Sequence, residues 1–226
     1  MITIFTKTIW RGIVCLSVFS LALPGQAMAD GQLKKLPDPA ADITLEKTSG
    51  QQTAVFSGGC FWGVEAVFRH TIGVISATSG YAGGSAGTAT YAQVSSGTTG
   101  HAESVRVVYD PQKISYGQLL KIFFAVAHNP TELNYQGPDH GTQYRSAIFT
   151  TNENQSKVAL AYISQLQSLR IYGEPIVTQV QLLPEFYPAE DHHQNYLALH
   201  PTQPYIVFND LPKIQHLREQ FPKFYR

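Results

Sequence analysis

The chain has 226 residues, of which 43% are hydrophobic and 14% are charged, and its 16 basic residues balance its 16 acidic residues. This length allows one or two ordinary domains with a real core, and the composition excludes a disordered chain. The balanced charge lacks the basic footprint of a nucleic-acid-binding protein, and the presence of just two cysteines excludes a multi-cysteine zinc cluster and a disulfide-rich scaffold.

The first 29 residues have the pattern of a secretory signal peptide. Lys7 and Arg11 precede an apolar run, residues 12–23, that is too short to span a bilayer, and the Ala-Met-Ala sequence at 27–29 supplies the small residues that signal peptidase requires. We predict cleavage directly after this segment and, for a bacterial source, a secreted periplasmic protein without stable membrane association. An uncleaved membrane anchor is one alternative, and a lipid anchor on Cys15, in a poor lipoprotein box, is another.

Cleavage there removes Cys15 and leaves Cys60 as the single cysteine of the mature chain. A secreted protein with an odd cysteine needs an intermolecular partner or has a use for a reactive free thiol. A buried, inert cysteine is the alternative, and the count alone does not choose between these hypotheses.

Residues 30–52 contain Pro37, Pro39 and Gly50 among polar residues and have no sustained apolar period. This composition predicts an N-terminal linker or surface arm before a folded unit that begins near Thr53 and continues to residue 226. The unit opens with a predicted strand at 53–57 and a Gly-Gly turn. A helix follows, because Phe61, Val64 and Phe68 recur at helical spacing.

The rest of the chain is predicted to alternate irregularly between strands, loops and helices. The predicted strands are 73–77, 102–109, 144–150 and 176–182, and the predicted helices are 115–127, 153–170, 189–199 and 211–220. The Gly/Ser/Thr/Ala-rich residues 78–90 are predicted as a loop whose backbone can pass close to a ligand, and Thr150 with Glu153 as a helix capping box. The pattern predicts one α+β domain with helices against a mixed sheet.

Cys60 directly follows the Gly-Gly turn and stands at the start of the first predicted helix. In this position the sulfur lies near unpaired backbone N–H groups and the positive end of the helix dipole, both of which stabilise a thiolate. The position therefore predicts a low thiol pKa and nucleophilic chemistry, although these residues do not name the electrophile. A small buried hydrophobe after a Gly-Gly turn is the alternative.

Five sequence blocks carry a resemblance to a known family. They are GCFWG at 59–63, TY at 90–91 followed by GTTGHAE at 97–103, VVYDP at 107–111, DHGTQYRS at 139–146 and AEDHHQNY at 189–196. In order and spacing they are similar to the motifs of the A-type peptide methionine sulfoxide reductases, and the resemblance covers residues 53–226. It implies an α+β two-layer sandwich with a mixed sheet, surrounding helices and long loops. It also implies reduction of methionine-S-sulfoxide, free or in proteins, as protein repair under oxidative stress.

The resemblance assigns catalytic roles to four residues. Cys60 is the nucleophile that attacks the sulfoxide sulfur, and Glu103 is the acid that gives a proton to the departing oxygen. In a partly dry pocket the pKa of a carboxyl such as Glu103 rises, which suits this role. Tyr91 and Tyr144 match two tyrosines that hydrogen-bond the same oxygen, as in a neutral oxyanion hole.

The resemblance also assigns a substrate-binding site. Phe61 and Trp62 match the walls of an apolar pocket for the S-methyl group, because aromatic faces make favourable contacts with sulfur and methyl groups. Asp139 matches a carboxylate that supports the site. Without the family match, ordinary core packing of Phe61 and Trp62 is the favoured alternative.

The chain departs from the family pattern at its C terminus, where many relatives carry one or two further cysteines that resolve the oxidised nucleophile as a disulfide. This chain has none there. Cys60 is therefore expected to become a sulfenic acid that an external thiol reduces, such as a thioredoxin-like protein, glutaredoxin with glutathione, or dithiothreitol. No other cofactor is expected.

Two other functional classes remain open from the residues alone. A secreted cysteine hydrolase or acyltransferase would use Cys60 with a histidine base such as His101 or His140. A non-catalytic binding module would use the aromatic pocket. Metal binding by His101, His140, His192 and His193 is not expected, because they are scattered along the sequence or look exposed. The sequence also lacks the further thiols that a metal site with Cys60 would need.

Overall fold

The computed structural model describes Met1 and residues 35–43 and 50–226. The predicted signal cleavage site and Cys15 lie outside these residues. Within them, no helix combines the length and apolar character that crossing a membrane requires.

A six-stranded mixed sheet organises the fold. The strands in chain order are β1 (Gln52–Ser57), β2 (Val74–Ala82), β3 (Ala102–Tyr109), β4 (Tyr135–Gln136), β5 (Asp139–His140), β6 (Ala147–Thr150), β7 (Gln179–Leu182) and β8 (Phe186–Pro188). The large sheet has the order β7-β6-β1-β3-β2-β8, with β6 and β7 parallel and the other neighbours antiparallel, while β4 and β5 form a separate small hairpin. The predicted α+β class with a mixed sheet is confirmed.

Helices cover one face of this sheet. They are α1 (Phe61–Arg69), α2 (Tyr91–Val94), α3 (Tyr116–Ile122), α4 (Glu153–Ser168), α5 (Tyr196–Leu199) and α6 (Leu211–Gln220), with π-helical turns at Phe123–Ala127 and Ile206–Asp210. The main core lies on this face, where the Phe56 ring of β1 stacks at 5.1 Å on Phe68 and at 4.9 Å on Phe123. Val55, between Ala54 and Phe56, packs into a smaller cluster on the opposite face, as strand alternation requires.

The predicted loop 78–90 is wrong in its first part, because β2 continues through Ala82. The small residues that suggested a loop are strand residues at a place of close packing. A Cβ on Gly80 would collide with the backbone oxygen of Tyr187 and the ring of Phe186 on the neighbouring β8. The loop begins at Gly83, whose φ of +96° favours glycine, and it ends where α2 begins.

Several predicted element ends also differ. The α4 helix is capped by Asn152, whose side chain accepts the Gln155 N–H, so the predicted Thr150/Glu153 capping box is wrong; Thr150 ends β6 and its hydroxyl pairs with Ser156. The predicted strand at 144–150 begins only at residue 147, and the one at 176–182 begins at residue 179. The predicted helix 189–199 is interrupted by Asn195, which has a left-handed φ of +53°.

Residues 35–43 form an arm that packs on the domain. Leu36 is 3% exposed and belongs to the main core. Asp42 accepts hydrogen bonds from the Ser115 hydroxyl and from the Gly117 N–H at 2.8 Å, at the start of α3, and the Tyr162 hydroxyl of α4 donates to the Pro37 oxygen at 2.8 Å. The arm therefore joins α3 to α4 across their outer side.

Candidate active site

Cys60 is the N-cap residue of α1 and is 7% exposed. The turn before it needs glycine, because Gly59 has a φ of +85° and a Cβ there would collide with the Gln136 side chain. The first free N–H group of the helix, on Phe61, donates to the Glu103 carboxylate at 3.0 Å, and the next, on Trp62, acts to lower the pKa of the Cys60 thiol. The helix N-terminus thus holds the predicted nucleophile and the predicted acid side by side.

Glu103 lies on β3 and is 2% exposed. Burial raises the pKa of its carboxyl from 4.5 to about 8, opposed by the Phe61 N–H bond and reinforced by the negative charge of Asp139. The carboxyl therefore carries a proton at neutral pH.

The pKa of the Cys60 thiol is raised well above its ordinary value, so the expectation of a low pKa is wrong. Burial of the sulfur is the largest cause, and the charges of Glu103 and Asp210 add to it. The backbone N–H of Trp62 and the positive charge of Lys213 act to lower the pKa but are outweighed. Protonation of Glu103 removes one of the two negative charges that raise the thiol pKa, so a neutral Glu103 favours the thiolate.

Phe61 and Trp62 form an aromatic wall next to Cys60. Phe61 is buried and Trp62 is half-buried, with ring centroids 6.3 Å apart. Trp62 stacks on Tyr196 at 3.8 Å with an angle of 7° between the rings, and its Nε1 donates to His193 Nδ1 at 3.3 Å. These contacts hold the indole ring in place.

Tyr91 and Tyr144 come from two short helical turns on the other side of the site. Tyr91 begins α2, and its backbone N–H donates to Glu190 at 2.9 Å; Tyr144 ends a 3₁₀ turn, Thr142–Tyr144. Burial raises the pKa of both phenols, and the charge of Glu103 is the next cause for each. Both phenol groups therefore lie close to the Glu103 carboxyl and stay protonated.

Asp139, on β5, completes the set of predicted site residues. Its Oδ2 accepts a hydrogen bond from the hydroxyl of Tyr205, and the Tyr205 ring meets Trp62 edge-on at 5.9 Å. The charge of Asp139 also raises the pKa of Glu103, behind the larger effect of burial. The fold thus gathers the predicted residues from α1, β3, two helical turns and the β4–β5 hairpin around one sulfur.

Sequence reasoning gave no role to several residues that build this site. Glu190, His193 and Tyr196 hold Tyr91 and Trp62 and belong to the block at 189–196. The motif at 189–196 marked this segment in the sequence, but the role of each of its residues could not be assigned without the fold. Tyr205 and Asp210 lie in the C-terminal segment, which has no motif in the sequence that could have marked them.

The histidines considered as bases are engaged elsewhere. His101 Nδ1 accepts the Gly84 N–H at 3.2 Å and its Nε2 donates to the Ser85 oxygen at 2.9 Å, so this ring fastens the loop after β2. His140 is exposed and stacks on Tyr135 at 5.4 Å. Among the described residues, no group of three or more His, Cys, Asp and Glu side chains is placed to hold a metal ion.

Comparison with known proteins gives a family for this arrangement. The family model described as peptide methionine sulfoxide reductase matches residues 52–224. The chain belongs to the peptide methionine sulfoxide reductase family. It is a peptide methionine sulfoxide reductase of the A type, in agreement with the resemblance of its five sequence blocks.

Curated relatives of this reductase bear the same family name. It is 56% identical over 176 residues to peptide methionine sulfoxide reductase MsrA 2 of Mesorhizobium japonicum, covering 78% of this chain and 90% of that protein. It is 50% identical over 190 residues to MsrA 2 of Synechocystis, covering 83% and 89%.

Solved structures of relatives share the fold of the reductase. Reduced Mxr1 of Saccharomyces cerevisiae matches with a TM-score of 0.64 and 33% identity, over 68% of this chain and 87% of that one. Methionine sulfoxide reductase A of Corynebacterium diphtheriae matches with a TM-score of 0.58 and 36% identity, over 74% and 84%.

Proposed function

We propose that this reductase acts on methionine-S-sulfoxide, free or in oxidised proteins, with Cys60 as the nucleophile and Glu103 as the acid. The observation that carries the proposal is the placement of Glu103. Its buried carboxyl has a pKa of about 8 and bonds the backbone N–H next to Cys60, so a proton is available beside the sulfur at neutral pH.

The reaction is balanced in protons and oxygen. Cys60 loses its thiol proton and attacks the substrate sulfur, and the substrate oxygen takes a proton from Glu103. The substrate S–O bond and the transient bond between the two sulfurs break as the oxygen is transferred to the Cys60 sulfur, so the products are methionine and a Cys60 sulfenic acid. The proton that left the thiol restores Glu103, which ends the step in the form in which it began.

The geometry of the site supports selection of one sulfoxide epimer. The S-methyl group would lie against Phe61 and Trp62, while the oxygen would meet Glu103, Tyr91 and Tyr144. The mirror arrangement puts the oxygen into the apolar wall, where an unpaired polar atom costs about 1 to 3 kcal/mol. We expect activity on the separated S epimer and little on the R epimer, and equal rates would contradict this assignment.

The absence of a resolving cysteine supports recycling by an external thiol. Reduced enzyme mixed with one equivalent of sulfoxide, without reductant, should give one methionine per enzyme and a protein heavier by one oxygen at Cys60. A dimedone-type reagent should trap that form, and glutathione should discharge it through a mixed disulfide.

Cys60→Ser is the matched control for this experiment and should give no methionine. Peptide mapping assigns the added oxygen to Cys60 rather than to Cys15. If non-reducing gels show mainly a covalent dimer after oxidation, recycling through a sulfenic acid is contradicted.

We propose further that the protein is exported and cleaved after Ala29, which in a bacterium places methionine repair in the periplasm. The charged start, apolar run and small residues at 27–29 support this. Mass spectrometry of the exported protein should find Asp30 as its first residue. A protein that begins at Met1 would contradict cleavage.

A further inference from the structure

A buried ion pair lies against the first turn of α1, and the reaction proposed above gives it no role. Asp210 ends the π-helical turn Ile206–Asp210 and is fully buried. Its Oδ1 accepts a hydrogen bond from Lys213 Nζ at 3.1 Å, and 16% of the Lys213 side chain is exposed.

Gly63 shows how close this pair lies to Cys60. Residues three positions apart share one face of a helix, so Gly63 stands one turn after Cys60 on the same face of α1. A Cβ on Gly63 would collide with Asp210 Oδ1 and lie 2.6 Å from Lys213 Nζ. The ion pair therefore rests directly on the backbone of the turn that Cys60 caps.

The pair is poorly built for stability alone. Asp210 Oδ2 is buried and has no hydrogen-bond partner among the described residues. A buried carboxylate with an unsatisfied oxygen is costly, and an apolar pair of similar volume would hold these helices together at least as well. The charges themselves therefore need an explanation.

The groups that act on the Cys60 sulfur are mostly acidic. They are the carboxyls of Glu103 and Asp210, the phenols of Tyr91, Tyr144 and Tyr205 and the ammonium of Lys213. Asp139 lies beside Glu103 and Tyr205, and the neutral ring of His128 lies near Lys213. Burial is the largest cause of the raised thiol pKa, and the charges of Glu103 and Asp210 add to it. Among the described residues, Lys213 is the cation that lowers the pKa of this thiol.

We propose that Lys213 and Asp210 are positioning residues that set the ionisation of Cys60 from the first turn of α1: the positive charge of Lys213 favours the thiolate, and the negative charge of Asp210 opposes it. The inference rests on the proposed role of Cys60 as the nucleophile. The thiolate forms twice in each cycle, first when Cys60 attacks the sulfoxide. It forms again when a second external thiol attacks the mixed disulfide, so that the S–S bond breaks and Cys60 leaves as the anion.

The test measures the ionisation of Cys60 apart from sulfoxide reduction. The rate of Cys60 alkylation by iodoacetamide is followed against pH by mass spectrometry in the full chain, since the rate follows the thiolate fraction. Lys213→Met should move the midpoint upward by about one pH unit and Asp210→Asn should move it downward by a similar amount. Lys213→Arg keeps the charge and should stay within about 0.3 of wild type.

The chain offers a matched control pair. Asp110 and Lys113 are the same residue types at the same spacing, 3.5 Å apart and remote from the sulfur. Asp110→Asn and Lys113→Met should leave the midpoint unchanged.

Opposite shifts in the two variants separate a charge effect from loosened packing, which would move both midpoints in the same direction. Shifts of one sign, or shifts no larger than those of the control pair, overturn the proposal. If Lys213→Met does not fold by circular dichroism, the direction of the Asp210→Asn shift decides. Failure of the proposed function is separate, because it would appear as sulfoxide reduction by Cys60→Ser.

Discussion

Glu65, on α1, and Glu103, which accepts an N–H of α1, are almost fully buried, at 1% and 2% exposed, yet they have different surroundings. Glu65 accepts hydrogen bonds from Arg69 Nε at 2.8 Å, the Ser79 hydroxyl at 3.1 Å and the Asn195 N–H at 3.0 Å. Among the described residues, Glu103 has one donor, the Phe61 N–H at 3.0 Å.

This comparison shows that burial does not by itself mark a carboxyl as reactive. Three donors, one of them the Arg69 cation, replace the hydration that the Glu65 carboxyl loses on burial. Glu65 thereby joins α1 to β2 and to the residue before Tyr196. Glu103 has one such donor, so burial raises its pKa and its proton stays next to the Cys60 thiol.

The largest expected effect is on turnover, and it separates the two carboxyls. Glu103→Gln keeps the shape and a donor but cannot release a proton, so the reductive step should slow by about 10²- to 10⁴-fold. Single-turnover methionine formation measures this. Glu65→Gln is the matched control and should slow the step by less than about tenfold. A Glu103→Gln enzyme with a near wild-type rate would remove Glu103 from the mechanism.

The converse difference is expected in stability. Glu65→Ala leaves the Arg69 side chain and the Ser79 and Asn195 donors without their acceptor, and should lower the free energy of unfolding by about 2 to 4 kcal/mol. Chemical denaturation at pH 7 measures it. Glu103→Gln should be at least as stable as wild type, because burying a neutral amide avoids the free-energy cost of burying an ionisable carboxyl. A larger loss for Glu103→Gln than for Glu65→Ala would contradict the comparison.

The pH dependence sharpens the assignment of Glu103. Because burial raises its pKa to about 8, the carboxyl is protonated below that pH and loses its proton above it. The single-turnover rate should fall about tenfold for each pH unit above about 8. Glu103→Gln should lack this alkaline fall, and an unchanged profile in that variant would assign the fall to another group.

The smallest effect is expected at the tyrosines. Tyr91→Phe and Tyr144→Phe each remove one donor to the sulfoxide oxygen while the other donor and Glu103 remain, so each should slow the reductive step by about tenfold or less. The double variant should lose more than either single variant. If one single variant matches Glu103→Gln in its loss, that phenol carries more of the proton transfer than proposed.

Local signals in the sequence were sufficient for most of the elements and for the position of Cys60 at the start of the first helix. A Gly-Gly turn before an amphipathic stretch predicts a helix whose N-cap is Cys60, and the structure has that helix at Phe61–Arg69. The charge state of Cys60 could not be predicted in this way. It depends on Asp210 and Lys213, which only the tertiary fold brings to the first turn of α1.

The sequence also did not show why the residues around Gly80 are small. Gly80 and its neighbours were interpreted as a loop, because glycine and serine are poor strand formers. In the structure the lack of a side chain at Gly80 admits β8, a strand of three residues that no periodicity predicts. Glycine in a strand marks the close approach of another backbone, which is not visible without the partner.

The packed arm at residues 35–43 limits how far the N terminus of this enzyme can be truncated. The family match begins at residue 52, and a fragment that starts there would look complete by homology. It would nevertheless lose Leu36 from the main core and the Asp42 carboxylate that receives the Ser115 hydroxyl and the Gly117 N–H. The smallest fragment suited to recombinant production therefore begins before Leu36, and a purification tag is better placed upstream of that residue than at the start of β1.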